Sequence, residues 1–142
     1  MDKLTLVTLN VNGLSARSKR TGIFQLLLEK NPDICFLTET HARAKKIPKY
    51  TKLWQKMGGT NAIFEPAMSD GFKGVALLFG KHFNPQFANT KHSIEGRSLS
   101  TEIEISGKTH KILVTYAPNQ PRERRIFFEK INLLESTSDP VS

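Results

Sequence analysis

Four consecutive apolar residues, Ile34-Cys35-Phe36-Leu37, lie between the loop signal Asn31-Pro32-Asp33 and the polar group Thr38-Glu39-Thr40-His41. A strand points successive side chains to opposite faces, so a run with no polar member needs cover on both sides. A lone sheet with one face in water does not meet that demand; layers on both sides do. The segments upstream agree. Leu4 to Leu9 alternates loosely and ends in Asn10-Val11-Asn12-Gly13, a strand entering a turn, and Ile23 to Glu29 carries apolar residues at helical spacing. Strand, helix, strand, with a connection long enough for a crossover, predicts a parallel pair in an α/β fold.

Downstream the pattern changes. Ala42 to Gly59 is basic and weakly patterned, and reads as a surface loop with one helical turn around Leu53 and Trp54. After Asn61 to Phe64 comes a glycine-containing turn from Ser69 to Gly74, then the strand Val75 to Phe79. Leu99, Thr101, Ile103 and Ile105 alternate with Ser100, Glu102 and Glu104, as in a half-buried strand. Ser106-Gly107 predicts a hairpin into Lys111 to Tyr116, which Ala117-Pro118-Asn119 ends. Ile126 to Leu134 reads as a helix and Ser136 to Ser142 as a polar tail.

A chain of 142 residues has room for one domain that buries about two-thirds of its unfolded surface. No apolar run approaches the roughly 20 residues of a membrane-crossing helix, and the first residues lack the pattern of a signal peptide. The single cysteine, Cys35, excludes an internal disulfide and reads as a small buried thiol in a reducing compartment. The charge is more informative. The net value is +8, and it is clustered: Arg43, Lys45, Lys46, Lys49, Lys52 and Lys56 stand between Glu39 and Glu65 with no acid among them. Arg17, Lys19 and Arg20 form a second group, and Arg122, Arg124 and Arg125 a third. One such cluster is usually a solvated surface. Three favour a polyanion, with nucleic acid ahead of an anionic membrane.

Asn10, Glu39 and Tyr116 each fall at or just past the end of an expected strand, the edge where α/β sheets hold ligands. A carboxylate beside an amide suits Mg²⁺, which takes oxygen ligands and keeps several waters. A tyrosine hydroxyl can donate to a phosphate oxygen as charge builds there. Each residue also has an ordinary explanation. Glu39 could be a solvated strand-end carboxylate, Asn10 and Asn12 turn residues beside Gly13, and Tyr116 a strand aromatic.

Their contexts, in order, are Leu9-Asn10-Val11-Asn12-Gly13-Leu14, Thr38-Glu39-Thr40-His41, Gly74-Val75-Ala76-Leu77-Leu78 and Tyr116-Ala117-Pro118-Asn119. This series resembles the successive motifs of the endonuclease/exonuclease/phosphatase family. It is most similar to the apurinic/apyrimidinic-like endonuclease domains of LINE-type (non-LTR) retrotransposons, over Lys3 to Leu134. The resemblance implies a Mg²⁺ (or Mn²⁺) site with Glu39 and Asn10 as metal-binding residues, and Asn10 and Tyr116 in the catalytic group at the scissile phosphate. It places Asn12 near the metal and Asn119 near the phosphate, and sets Arg17 and Arg43 among basic residues that hold DNA phosphates without reading sequence. His41 reads as a supporting residue rather than a base.

The family's later motifs, a Gly-Asp-Phe-Asn segment, a further aspartate and Ser-Asp-His, do not occur in these residues. The resemblance therefore implies the N-terminal part of the domain over residues 1–135, with 136–142 a tail outside the family pattern. The implied fold is a partial four-layered α/β sandwich, mostly first sheet with flanking helices. From this follow two expectations: that the chain alone does not cut DNA, and that the sheet face near Val75, Ile103 and Val114 is uncovered and open to association. A nuclear location is implied in the same way. Two other functions stay open: a family phosphatase acting on lipid or inositol phosphates, and a non-catalytic module that binds nucleic acid or protein.

Overall fold

Strand β2 (Ile34–Thr38) shows why this chain builds layers. Cys35 and Leu37 point into one apolar cluster, Ile34 and Phe36 into another, and all but Phe36 of these four are fully buried. Strand β4 (Val75–Phe79) repeats the pattern, with Ala76 and Leu78 on the first side and Val75, Leu77 and Phe79 on the second. The two pair antiparallel at the centre of a four-stranded sheet. Strand β1 (Leu6–Asn10) flanks β2 in parallel, as the strand-helix-strand reading requires, and β3 (Asn61–Glu65) flanks β4. The computed structural model describes residues 4–68, 73–93 and 96–116. The expected helix from Ile126 to Leu134, the tail 136–142, Asn119 and the Arg122 to Arg125 cluster lie outside the described residues.

The first cluster is covered by two helices. Helix α1 (Arg17–Glu29) buries Arg20, Phe24 and Leu27, one stripe at spacings of four and three. It begins earlier than the apolar run from Ile23 suggested, because its first turns are polar and only the stem of Arg20 serves as apolar surface. Helix α2 (Ile47–Met57), entered through one 3-10 turn at Ala44–Lys46, replaces the loop expected over Ala42 to Gly59. Its inner face carries Ile47, Tyr50, Leu53, Trp54 and Met57, a helical spacing masked in the sequence by lysines that face outward. Trp54 is fully buried, meets Phe24 edge-on at 5.3 Å between ring centroids, and donates its Nε1–H to the Phe79 carbonyl at 2.8 Å. That bond ties α2 to the central strand and removes the cost of burying an indole N–H unpaired.

The second cluster is covered by another sheet. Strands β5 (Phe87–Ser93), β6 (Ser98–Ile105) and β7 (Lys108–Thr115) form an antiparallel meander. The β6–β7 hairpin turns at Ser106 and Gly107, both in the left-handed region, as a two-residue turn requires. Strand β5 was not expected. It has one large apolar residue, Phe87, and an irregular register at Asn89 (φ 52°), so no alternation marks it. This meander corrects the expectation of an uncovered face. Val75, Ile103 and Val114 are all buried against one another between the sheets. Exposed apolar surface is found instead at the β1 edge, where Leu6 is 55% exposed.

The inter-sheet cluster makes a direct test of this packing. Ile103→Ala is expected to cost about 2–5 kcal/mol by denaturant unfolding, whereas Leu26→Ala on the exposed side of α1 stays within about 0.5 kcal/mol. Similar small losses for both would mean that the two sheets do not share a packed core.

Candidate functional site

The ends of β1 and β2 carry the expected site residues on one rim. Asn10 is the last residue of β1, and Glu39 follows the last residue of β2. Their strands pair in register, with Asn10 opposite Thr38, so the two side chains meet. Asn10 donates its amide Nδ2–H to the Glu39 carboxylate. Its other end is held too: Asn10 Oδ1 accepts the backbone N–H of Asn12 at 3.1 Å. Asn10 therefore turns its nitrogen toward Glu39 and its oxygen toward the following loop, which fixes the orientation of the carboxylate.

Backbone bonds then stitch the two loops together. The N–H of Val11 donates to Thr38 O, that of Gly13 to Glu39 O, and that of Leu14 to Thr40 O, at 2.7–3.0 Å. To make these bonds the chain takes up unusual conformations. Asn12 (φ 47°), Glu39 (φ 53°) and His41 (φ 56°) are all left-handed, which L side chains adopt at a cost of about 1–2 kcal/mol. At Gly13 (φ 95°) there is no alternative to glycine, because a Cβ would also stand 2.9 Å from His41 Nδ1. His41 is thus a wall of the loop, in keeping with a supporting role. Strain held on a carboxylate at a sheet rim is a mark of functional sites.

Tyr116 follows β7 at the end of the second sheet, and a relay of backbone bonds connects that strand end to the loop after β2. The N–H of Thr40 donates to Gly74 O at 3.0 Å, and the N–H of Gly74 to Gly96 O at 2.8 Å. Next to Gly96, Arg97 accepts the N–H of Tyr116 at 2.8 Å and returns a bond from its NH1 to Tyr116 O at 3.1 Å. The Arg97 guanidinium lies 5.3 Å from the centroid of the Tyr116 ring, and the ring packs against the inter-sheet cluster. Sequence reading missed Arg97, which stands 19 residues before its tyrosine and in no recognisable motif. A second tie between the sheets is near. His92 Nδ1 and Glu65 Oε1 are 2.8 Å apart, and burial holds the Glu65 carboxyl above its ordinary range against the opposing pull of His92 and the Gly96 N–H.

The basic residues divide into two kinds. Arg17 and Arg43 are exposed at the starts of α1 and of the turn into α2, near the rim. Lys19, although exposed, and the buried Arg20 bind backbone carbonyls instead. Lys19 donates to Asn12 O at 2.7 Å, while Arg20, 3% exposed, donates to Leu14 O at 2.8 Å and Ser15 O at 3.2 Å. Its guanidinium also stacks 4.4 Å from the Tyr50 ring centroid. The Arg17 to Arg20 cluster is therefore not a single solvent-facing patch; two of its members clamp the Asn12 loop. Asn119 lies outside the described residues. Cys35, buried under the helices with its thiol pushed up to about 12, takes no part. Among the described residues no three His, Cys, Asp or Glu side chains gather as a metal cluster, and the carboxylate of this corner is Glu39 with its Asn10 partner.

If Glu39 pays a conformational cost, glycine relieves it. Glu39→Gly is expected to be about 1 kcal/mol more stable than Glu39→Ala in denaturant unfolding. A less stable glycine variant would show that the left-handed backbone there is not strained.

Comparison with known proteins agrees with this architecture. The model of the Endonuclease/Exonuclease/phosphatase family matches residues 7–141. The Transposon TX1 uncharacterized 149 kDa protein of Xenopus laevis is 27% identical over 136 residues, covering 96% of this chain and 10% of that protein. The fold is similar to the endonuclease domain of TRAS1, a telomere-specific non-LTR retrotransposon, with a TM-score of 0.67 at 13% identity, covering 96% of this chain and 56% of that one. It is also similar to the AP endonuclease LMAP of Leishmania major, with a TM-score of 0.64 at 18% identity, covering 81% and 40%. The chain thus spans a tenth of its curated relative's length and about half that of these solved structures. By its ordered motifs, two-sheet fold and family match, the chain belongs to the endonuclease/exonuclease/phosphatase family.

Proposed function

We propose that this chain supplies one side of a divalent-metal phosphodiesterase centre that cuts DNA, as an endonuclease of the retrotransposon type. The observation that carries the reading is the Asn10–Glu39 pair, a strained carboxylate oriented by an amide at the ends of β1 and β2. The donor set fits Mg²⁺ or Mn²⁺, since such ions are held by one or two carboxylates and complete their shell with water and substrate oxygens. Glu39 would hold the ion, with Asn10 steadying the carboxylate. The ion's contribution, when bound, is to offset negative charge on the reacting phosphate.

The remaining steps belong to the chain's own side chains. The Tyr116 hydroxyl donates to a non-bridging phosphate oxygen, and Asn119 and Asn12 contact the same phosphate group. Arg17 and Arg43 hold neighbouring backbone phosphates through charge alone, which gives binding without base readout. Activating the attacking water takes a base, and among the described rim residues Glu39 is committed to the ion. These 142 residues by themselves are therefore expected to bind DNA and metal without turnover. The retrotransposon link is supported by the likeness to the TX1 protein and to the TRAS1 endonuclease domain.

Calorimetry with Mg²⁺ tests the centre. The parent chain should bind weakly, Asn10→Ala should lose about tenfold or more through the loss of support, and Glu39→Ala should show no binding. Equal affinity for Glu39→Ala and the parent removes Glu39 from the role. Supercoiled plasmid should stay intact with the 142-residue chain; Mg²⁺-dependent nicking that Glu39→Ala abolishes would overturn the absence of turnover. DNA affinity should fall steeply with salt, and Arg43→Ala should reduce the slope of log affinity against log salt by about 1. An affinity that does not change from low to moderate salt would exclude phosphate contacts as its source.

A further inference from the structure

We infer that a recess beside the Glu39 rim is a binding site for the terminal phosphate of a nucleic-acid strand, distinct from the site of cleavage. This rests on reading the rim as a nucleic-acid site. The recess encloses about 370 Å³ where the loop into α1 meets the turn into α2. Five basic side chains line it: Arg20 from α1, Arg43, Lys45 and Lys46 from the connection, and Lys49 from α2. No carboxylate is among its lining residues. Folding has thus brought two separate basic clusters of the sequence around one cavity.

Arg20 is what makes this a built site rather than a charged surface. It is 97% buried and occupies the wall of the recess, yet its Nε–H has no hydrogen-bond partner and, among the described residues, no carboxylate pairs with it. A buried guanidinium satisfied only by two carbonyls and one aromatic face lacks its counter-charge, and burial makes that lack costly. The helix starts add to the field. Neither α1 nor α2 has an acid in its first turn or a side-chain cap, so their positive ends are left without local compensation. An anion is the missing partner.

Charge and shape narrow the anion. An internal phosphodiester carries one negative charge, whereas a phosphomonoester carries about 1.5 to 2 and three acceptor oxygens. A recess with five cations, unlike an open groove, favours the smaller and more highly charged group. It offers nothing to a base: Tyr50, the aromatic in its wall, is 4% exposed and already stacked on Arg20. Recognition is therefore of the phosphate and not of the sequence. Position relates it to the rim. His41, two residues past Glu39, lines the recess and also backs onto Gly13, so a strand end held here lies beside the Asn10–Glu39 corner.

The test uses this chain with single-stranded oligonucleotides of one sequence bearing a 5′-phosphate, a 3′-phosphate or hydroxyls at both ends, read by fluorescence anisotropy. One phosphate-ended form should bind about tenfold tighter than the hydroxyl-ended form, the scale of one strong charge-assisted contact. Lys46→Gln/Lys49→Gln, two exposed substitutions, should abolish that advantage, while Arg17→Gln, outside the recess, should weaken all three probes alike. Inorganic pyrophosphate should compete with the phosphate-ended probe. Should the double variant fail to fold, Lys45→Gln, exposed in the same recess, serves in its place. Tight binding of all three probes with no preference would overturn the terminal-phosphate site and leave the nucleic-acid reading standing. Binding of pyrophosphate but of no oligonucleotide would overturn both.

Discussion

Burial of β2 and β4 on both faces is the constraint from which the rest of the molecule follows. Eight of their ten residues are apolar and fully buried, split by the strand alternation between a helix-covered cluster and a sheet-covered one. Neither layer is optional, because exposing either face would put several large side chains in water at roughly 1.5–3 kcal/mol each. The register that buries these residues also determines where their strands stop. Thr38 stands opposite both Asn10 and Val75, so the ends of β1 and β2 and the start of β4 come level. The rim is a consequence of the core.

At that rim the backbone gives up ordinary geometry to keep its hydrogen bonds. Three loops meet there, and the left-handed residues Asn12, Gly13, Glu39, His41 and Gly74 are the points at which they turn sharply enough to bond to one another. Gly74 shows how tight the join is: its N–H and C=O reach both sheets, and a Cβ would stand 2.5 Å from Thr40 Oγ1. The result is a carboxylate whose backbone, hydrogen-bond partner and neighbours are all fixed. Rigid support of this kind suits the role proposed for Glu39, since a preorganised group acts without reorganising.

The positive charge performs two tasks that composition alone does not separate. Lys19 and Arg20 spend theirs on backbone carbonyls of the Asn12 loop, where a cation makes stronger bonds than a neutral donor would. Arg43, Lys45, Lys46 and Lys49 keep theirs for solvent or for a ligand. The difference lies in the helix phase. Arg20 occupies the stripe shared with Phe24 and Leu27, so its stem is buried and its head must find partners inside.

Much of this was legible in local patterns. The doubly apolar run at Ile34 to Leu37, the parallel crossover from β1 to β2, the Ser106-Gly107 hairpin and the strand-end positions of Asn10, Glu39 and Tyr116 all follow from residue spacing and turn chemistry, which act over a few residues. Other features were not. Helix α2 was hidden by lysines that a helix sorts to one face and a linear reading does not, and β5 by a polar composition that only pairing with β6 makes into a strand. Closure of the second sheet over Val75, Ile103 and Val114, the seating of Arg97 on Tyr116 and of Arg20 on Tyr50, and the gathering of two basic clusters around one recess join residues distant in the chain. Sequence by itself determined which residues could form elements and where those elements could end. Tertiary structure alone decided which of them share a surface, because long-range contacts form only when burial repays the entropy of bringing distant segments together.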